Sequence, residues 1–109
     1  MACDDELAAR VRQFLTGQQG ITERKMFGGV AFLLHGNMCC GVVNDDLMVR
    51  VGAENDDESL ALPHARPMDF TGRPMKGFVF VGSKGIGADD ALEHWINRGV
   101  TLARTLPKK

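Results

Sequence analysis

Length, composition and charge place this chain among small soluble domains. It has 109 residues, of which 44% are hydrophobic, and its 13 basic and 14 acidic residues give a formal net charge of −1. A chain of this length can bury a core without disulfides or metals. The charge balance gives no support for a dedicated DNA-binding domain, because such domains usually carry a basic excess. We therefore expect one domain over residues 1–109.

The N-terminus and the cysteines indicate a cytoplasmic protein. Residues 4–6 are acidic, where a secretory signal would be basic and then apolar. No apolar run approaches the roughly 20 residues of a membrane span. The 3 cysteines include the adjacent pair Cys39 and Cys40, which is not the pattern of a disulfide framework. We expect a cytoplasmic location and no membrane contact.

Hydrophobic spacing predicts a helix and then a meander of strands in the first half of the chain. The helix is expected over residues 5–16, where apolar residues recur every three or four positions and Gly17 follows the end. Strands are expected over residues 22–27, 30–34, 38–43 and 47–51, with a bend or bulge at 28–29 and turns at 36–37 and 44–45. Connections this short make neighbouring strands antiparallel.

The second half is predicted to hold two helices and two strands. A short helix over residues 54–62 would be stopped by Pro63. Strands are expected over residues 68–70 and 75–81, joined by a hairpin loop over 71–74. The last helix, over residues 89–106, carries an apolar stripe that includes Gly99, which indicates close approach to the sheet. The order α, three or four β, α, two β, α predicts an α+β domain with helices covering one antiparallel sheet.

An ordered set of short motifs runs through these elements. Residues 24–29 read RKMFGG, and the apolar strand VAFLL and the turn glycine Gly36 follow. LMVRV occupies residues 47–51, GRPM occupies residues 72–75, and the amphipathic C-terminal helix completes the set. In this order and spacing, the motifs resemble the N-terminal domain of the TfoX/Sxy family, regulators of bacterial natural competence. The resemblance spans nearly the whole chain.

The resemblance implies a regulatory domain whose biochemical activity is not settled. Full-length competence regulators continue into a helical domain of the helix-hairpin-helix kind, and no such segment precedes Lys109, so we expect a stand-alone relative without direct DNA binding. We expect a non-enzymatic regulatory or protein-interaction domain with an unknown protein partner, which could also form a homodimer. Family members commonly carry aromatics where this chain has Cys39–Cys40, Met48 and Gly77–Phe78, so roles of those aromatics are not carried over.

Basic residues recur in the matched motifs and are the candidate partner-binding residues. They are Arg24, Lys25, Arg50, Arg73 and Lys76. If neighbouring strands and loops bring them together, they would form a surface for an acidic partner or a phosphate group. The alternative is that they are solvated charges on edges and loops, which also deter edge-to-edge aggregation.

Motifs for catalysis, metals and cofactors are missing from the sequence. There is no Gly-x-Ser-x-Gly elbow, and the loop GSKGIG at residues 82–87 lacks the order of a phosphate-binding loop. Cys39 and Cys40 would point to opposite faces of a regular strand, so they could not readily ligate one ion together. We expect one of them in the core and the other exposed and oxidisable. The chain is therefore predicted not to be an enzyme, with no catalytic residues, no metal site and no cofactor.

A second functional hypothesis is a domain that senses a small molecule or a nucleotide. It would use a pocket between the sheet and the helices, rimmed by Arg50 or Arg73.

Overall fold

Six strands form one antiparallel sheet in this protein. The computed structural model describes residues 5–26, 29–67 and 76–107. The strands are β1 (Ile21–Met26), β2 (Gly29–Leu34), β3 (Asn37–Val43), β4 (Asp46–Arg50), β5 (Ala65–Pro67) and β6 (Phe78–Val81), in the spatial order β1-β2-β3-β4-β6-β5. The helices are α1 (Asp5–Leu15), α2 (Asp56–Leu60) and α3 (Asp89–Arg104), and a short 3-10 helix (Ala53–Asn55) precedes α2. This is the predicted α+β arrangement, in the order α, four β, α, two β, α.

The hairpin between β2 and β3 turns one residue earlier than predicted. Leu34 pairs with Asn37, so the two turn residues are His35 and Gly36, with φ angles of 51° and 83°. Two consecutive positive φ angles make a turn of the I′ kind, whose twist matches that of the flanking strands. The placement of this turn at residues 36–37 was wrong, because His35 takes the left-handed conformation that glycine would be expected to supply. The next turn lies at residues 44–45, as predicted.

Helices α1 and α3 pack on one face of the sheet and enclose the main core. The residues of α3 that are buried there are Leu92, Trp95, Ile96, Gly99, Val100 and Ala103. A Cβ atom on Gly99 would lie 2.1 Å from the carbonyl oxygen of Cys39. The helix backbone therefore touches the backbone of β3, which confirms the predicted close approach. The helix itself ends at Arg104, two residues before the predicted end.

The opposite face of the sheet carries a second, smaller apolar cluster. Its members are Val43, Met48 and Phe80, with the half-buried Met38 and Phe78 packed against them. The guanidinium carbon of Arg50 lies 5.6 Å from the ring centroid of Phe78, and that of Arg66 lies 5.2 Å from the centroid of Phe80. These cation–π contacts hold both arginines against the sheet.

The strand β5 lies just before the segment predicted to be a strand. Residues 68–70 and 71–74, predicted as a strand and a hairpin loop, lie outside the described residues. β5 instead covers Ala65–Pro67 and pairs with β6 at the edge of the sheet. Proline cannot donate to a ladder and is confined to edge strands and bulges, so its presence at position 67 agrees with this edge position. The predicted strand over residues 75–81 begins later, at Phe78.

A β-bulge in β3 turns both adjacent cysteines toward the core. Phe32 pairs with Cys40 and Leu33 pairs with Met38, which leaves Cys39 as the extra residue. Both cysteines belong to the main core, and their Sγ atoms lie 3.9 Å apart. The contact with Cys39 and the burial of the side chain hold the pKa of the Cys40 thiol well above its ordinary value of 9.0. The expectation that one cysteine would be exposed was wrong, because it assumed a strand without a bulge.

Candidate functional site

The predicted basic residues lie in two separate places. Arg24 and Lys25 are exposed on β1, the strand at one edge of the sheet. Arg50 ends β4, and the exposed Lys76 lies just before β6, at the same end of the neighbouring strand. Strands β1 and β4 are separated by β2 and β3, a distance of roughly 14 Å between strand axes. Arg73 lies outside the described residues.

Strand β1 presents backbone hydrogen-bonding groups away from the sheet. Among the described residues it pairs with β2 alone. The backbone N–H of His35 donates to the carbonyl oxygen of Gly20 at 2.9 Å, which marks that pair as hydrogen-bonded. Because hydrogen-bonded and non-bonded pairs alternate in an antiparallel ladder, the backbone groups of Ile21, Glu23 and Lys25 point outward. An added strand would find three sets of donors and acceptors there.

The charges on β1 are unequally neutralised. Arg12 of α1 donates two hydrogen bonds to the carboxylate of Glu23, at 2.6 and 2.7 Å. Neither Arg24 nor Lys25 forms an ion pair with any residue that the structure describes. The register places Arg24 opposite Ala31, on the face that carries the smaller apolar cluster, whereas Glu23 lies on the helix-covered face. The edge is thus locally basic although the whole chain is nearly neutral.

Acid should remove the contribution of the Arg12–Glu23 pair to the stability of the fold. The hydrogen bond from Arg12 holds the pKa of Glu23 below its ordinary value of 4.5. A lowered pKa in the folded state means that the ionised carboxylate stabilises the fold above about pH 4.5, and that this contribution is lost as the pH falls through the folded pKa. Glu23→Gln should lower the free energy of unfolding at neutral pH by less than about 1 kcal/mol, since the pair is exposed. Urea titrations should show a smaller difference in strong acid, and an equal difference at both pH values would contradict this.

A second candidate site is an open cleft between α3 and the 3-10 helix. Its volume is about 600 Å³. It is lined by Val51, Glu54, Asn55, His94, Asn97, Arg98, Thr101, Leu102 and Thr105. The lining combines two aliphatic side chains with neutral amides and hydroxyls, one histidine, one glutamate and one arginine. Arg50 does not line this cleft.

The guanidinium of Arg98 is held in place from several sides. Its Nε donates to Nε2 of His94 at 3.0 Å, and it lies over the Trp95 ring with 5.6 Å from the guanidinium carbon to the centroid. Its terminal nitrogens reach the hydroxyl of Ser59 at 3.4 Å and a carboxylate oxygen of Glu58 at 3.4 and 3.5 Å. The side chain of Arg98 is only 22% exposed. Sequence reasoning did not single out this arginine, which forms part of the wall of the cleft.

Within residues 5–26, 29–67 and 76–107, no three histidine, cysteine, aspartate or glutamate side chains are grouped so that they could hold a metal ion. No helix in the described part of the chain is long and apolar enough to cross a membrane.

The fold is that of a small α+β domain, and a family comparison identifies it. The model of the TfoX N-terminal domain matches residues 13–103. The chain therefore belongs to the TfoX N-terminal domain family, as its motifs indicated. No curated protein and no solved structure matches it significantly. The family match covers the edge strand β1 and the residues that line the cleft beside α3 except Thr105.

Proposed function

We propose that this protein is a non-enzymatic regulatory domain that binds an acidic, extended segment of a partner protein along β1. The observation that carries the proposal is that β1 is a sheet edge with outward-pointing backbone groups and two cations, Arg24 and Lys25, that have no ion-pair partner among the described residues. Family membership supports the regulatory part of the proposal, because the family is that of competence regulators.

Binding would proceed by addition of a strand to the sheet. An extended segment lying beside β1 would pair with the backbone groups of Ile21, Glu23 and Lys25, and these bonds would supply affinity. Side chains of the added strand would alternate between the two faces, so acidic residues on either face would reach Arg24 or Lys25. The same cations would repel basic segments and speed the encounter with acidic ones. Specificity would therefore come from charge and affinity from the backbone.

Charge reversal on β1 should abolish selection of acidic peptides. A library of random 12-residue peptides selected on the protein should yield sequences rich in Asp and Glu. The double variant Arg24→Glu, Lys25→Glu should no longer bind these acidic peptides. Two opposed charge pairs each contribute about 0.2–1 kcal/mol, and their reversal adds repulsion of similar size, so the loss should be roughly ten- to hundredfold in affinity.

The matched control keeps the net change in charge and moves it off β1. Lys76 and Lys84 are both exposed, and neither lies on the edge strand. The double variant Lys76→Glu, Lys84→Glu should bind the selected peptides within about twofold of the unmodified protein once screening is included. Equal losses in the two double variants would show that only net charge matters and would reject the edge as the binding site.

A second candidate function is the sensing of a small molecule, which the cleft beside α3 favours. Its volume of about 600 Å³ falls within the range of ligand pockets. A ligand that binds only the folded protein raises the midpoint of thermal unfolding. Screening a metabolite library by thermal shift tests this function separately from peptide binding at β1, and a library without a single shift would reject it.

A further inference from the structure

We infer that the cleft between α3 and the 3-10 helix binds a small organic monocarboxylate with an aliphatic body, and that Arg98 is the residue that binds the carboxylate. The inference rests on the second proposed function, small-molecule sensing, and names the chemistry of the ligand. Arg98 lines the cleft, and its side chain is largely buried. Because water screens its charge less, Arg98 attracts an anion more strongly than an exposed arginine would.

The neighbours of Arg98 fix its orientation. Its Nε donates to His94, and Trp95 supports the plane of the guanidinium. The two terminal nitrogens donate only long hydrogen bonds, at 3.4–3.5 Å, to Glu58 and Ser59. A planar guanidinium held in this way can donate two parallel hydrogen bonds to a carboxylate. Less side-chain entropy is then lost on binding, because the arginine is already ordered.

The acidic neighbour of Arg98 is a weak partner. The terminal nitrogens of Arg98 lie 3.4 and 3.5 Å from one oxygen of Glu58, whereas charge-assisted bonds of this kind usually measure about 2.7–2.9 Å. The side chain of Glu58 is 67% exposed, so water screens the pair. A carboxylate that enters the cleft can form shorter bonds with these nitrogens than Glu58 does.

The rest of the cleft sets the size and charge of the ligand. Val51 is buried and Leu102 is half-buried, and both line the cleft with aliphatic surface suited to an aliphatic body. Asn97 and Thr101 are exposed and form no side-chain hydrogen bond with a described residue. They can therefore bond to neutral polar groups of a ligand. Glu54 on the opposite wall disfavours ligands with several negative charges, such as nucleotides.

Calorimetric titration with 4-methylpentanoate and its neutral isostere 4-methylpentanamide tests the inference. The acid should bind with a dissociation constant below about 1 mM, and the amide should bind at least tenfold more weakly, because a hydrogen bond to a charged group is the stronger kind. Arg98→Gln should weaken binding of the acid about tenfold or more and leave binding of the amide unchanged. Equal affinities for acid and amide would overturn the assignment.

A second variant keeps Arg98 in place and is expected to bind the acid more tightly. Glu58→Gln removes the competing charge, so binding of 4-methylpentanoate should become about threefold tighter, whereas a purely structural Arg98 predicts no change or a loss. The control Lys84→Gln removes an exposed charge that does not line the cleft and should have no effect. If thermal-shift screening finds only ligands without a carboxylate, this inference is wrong and sensing survives. If it finds no ligand at all, both fail.

Discussion

Replacing Gly99 by alanine should destabilise the protein strongly. The added Cβ would lie 2.1 Å from the carbonyl oxygen of Cys39 and 2.9 Å from its carbonyl carbon. Both are backbone atoms of β3, so relief requires α3 to move away from the sheet. That movement would loosen the packing of Trp95 and Ile96, which are buried side chains of the same helix. We expect a loss of about 3 kcal/mol, at the upper end of the range for overpacked cores.

The loss of stability in Gly99→Ala can be measured by thermal and urea unfolding. For a domain of this length, about 3 kcal/mol corresponds to a fall of roughly 10–20 °C in the unfolding midpoint. Gly17→Ala is the matched control, because no atom lies within 4 Å of a Cβ built at that position. The control should be neutral or slightly stabilising, since alanine lowers the entropy of the unfolded chain. A Gly99→Ala protein as stable as the control would show that α3 does not touch β3 as described.

Replacing Gly29 by alanine should break the start of β2. A Cβ at this position would lie 1.9 Å from the carbonyl oxygen of Val42 and 3.1 Å from the Cα atom of Val43. Strand β2 would have to move away from β3 there, which would carry β1 with it. We expect a loss of about 2 kcal/mol in the free energy of unfolding. The damage should be greatest at the hairpin of β1 and β2.

Amide hydrogen exchange can locate the damage at Gly29. Backbone amides of Arg24 and Ala31, which face each other across the two strands, should exchange faster in Gly29→Ala, while those of α3 should change less. Gly87→Ala serves as the control, because a Cβ there would meet its nearest atom at 3.8 Å, an ordinary contact. Uniformly faster exchange throughout the protein would argue against a local effect of this glycine.

Sequence patterns predicted those parts of the fold that depend on local spacing. The helical period of α3 and the short turns of the meander are properties of neighbouring residues, so they were visible before the structure. The small residue at Gly99 within an apolar stripe likewise indicated where the helix meets the sheet. The glycine of the RKMFGG motif at position 29 now has a physical reason as well, since no larger residue fits beside Val42.

Features that depend on distant contacts were not visible in the sequence. The bulge at Cys39 arises from the pairing of β3 with β2, so alternation along the strand alone predicted the wrong face for one cysteine. The turn at His35 requires a positive φ from a residue that rarely adopts one, and only the register of the hairpin reveals it.

The cleft could not be located from the sequence because its two walls are far apart in the chain. Its walls come from residues 51–55 and from α3, and Arg98 meets Glu58 across 40 positions. One signal was present in the sequence: Asn97, Thr101 and Thr105 recur every four residues along the helix predicted over residues 89–106 and give it a neutral polar stripe. A helix face without the usual charges can mark a surface that is used for binding.

Of the RKMFGG motif, the two cations now stand apart from the rest. Gly29 is required by packing, while Arg24 and Lys25 lie exposed on the edge strand and form no ion pair with the described residues. Arg50 is held over Phe78 by a cation–π contact, away from this edge. A partner that recognises the basic motif would therefore meet β1 first.

Residue-resolved amide exchange with a selected acidic peptide tests binding along β1 most directly. Addition of a strand should protect the outward amides of Glu23 and Lys25, because the peptide would accept hydrogen bonds from them. The amides of Thr22 and Arg24, which face β2, should change much less. This alternating protection is the result that we predict. Protection that is absent from β1, or that falls on the cleft beside α3 instead, would contradict partner binding at this edge.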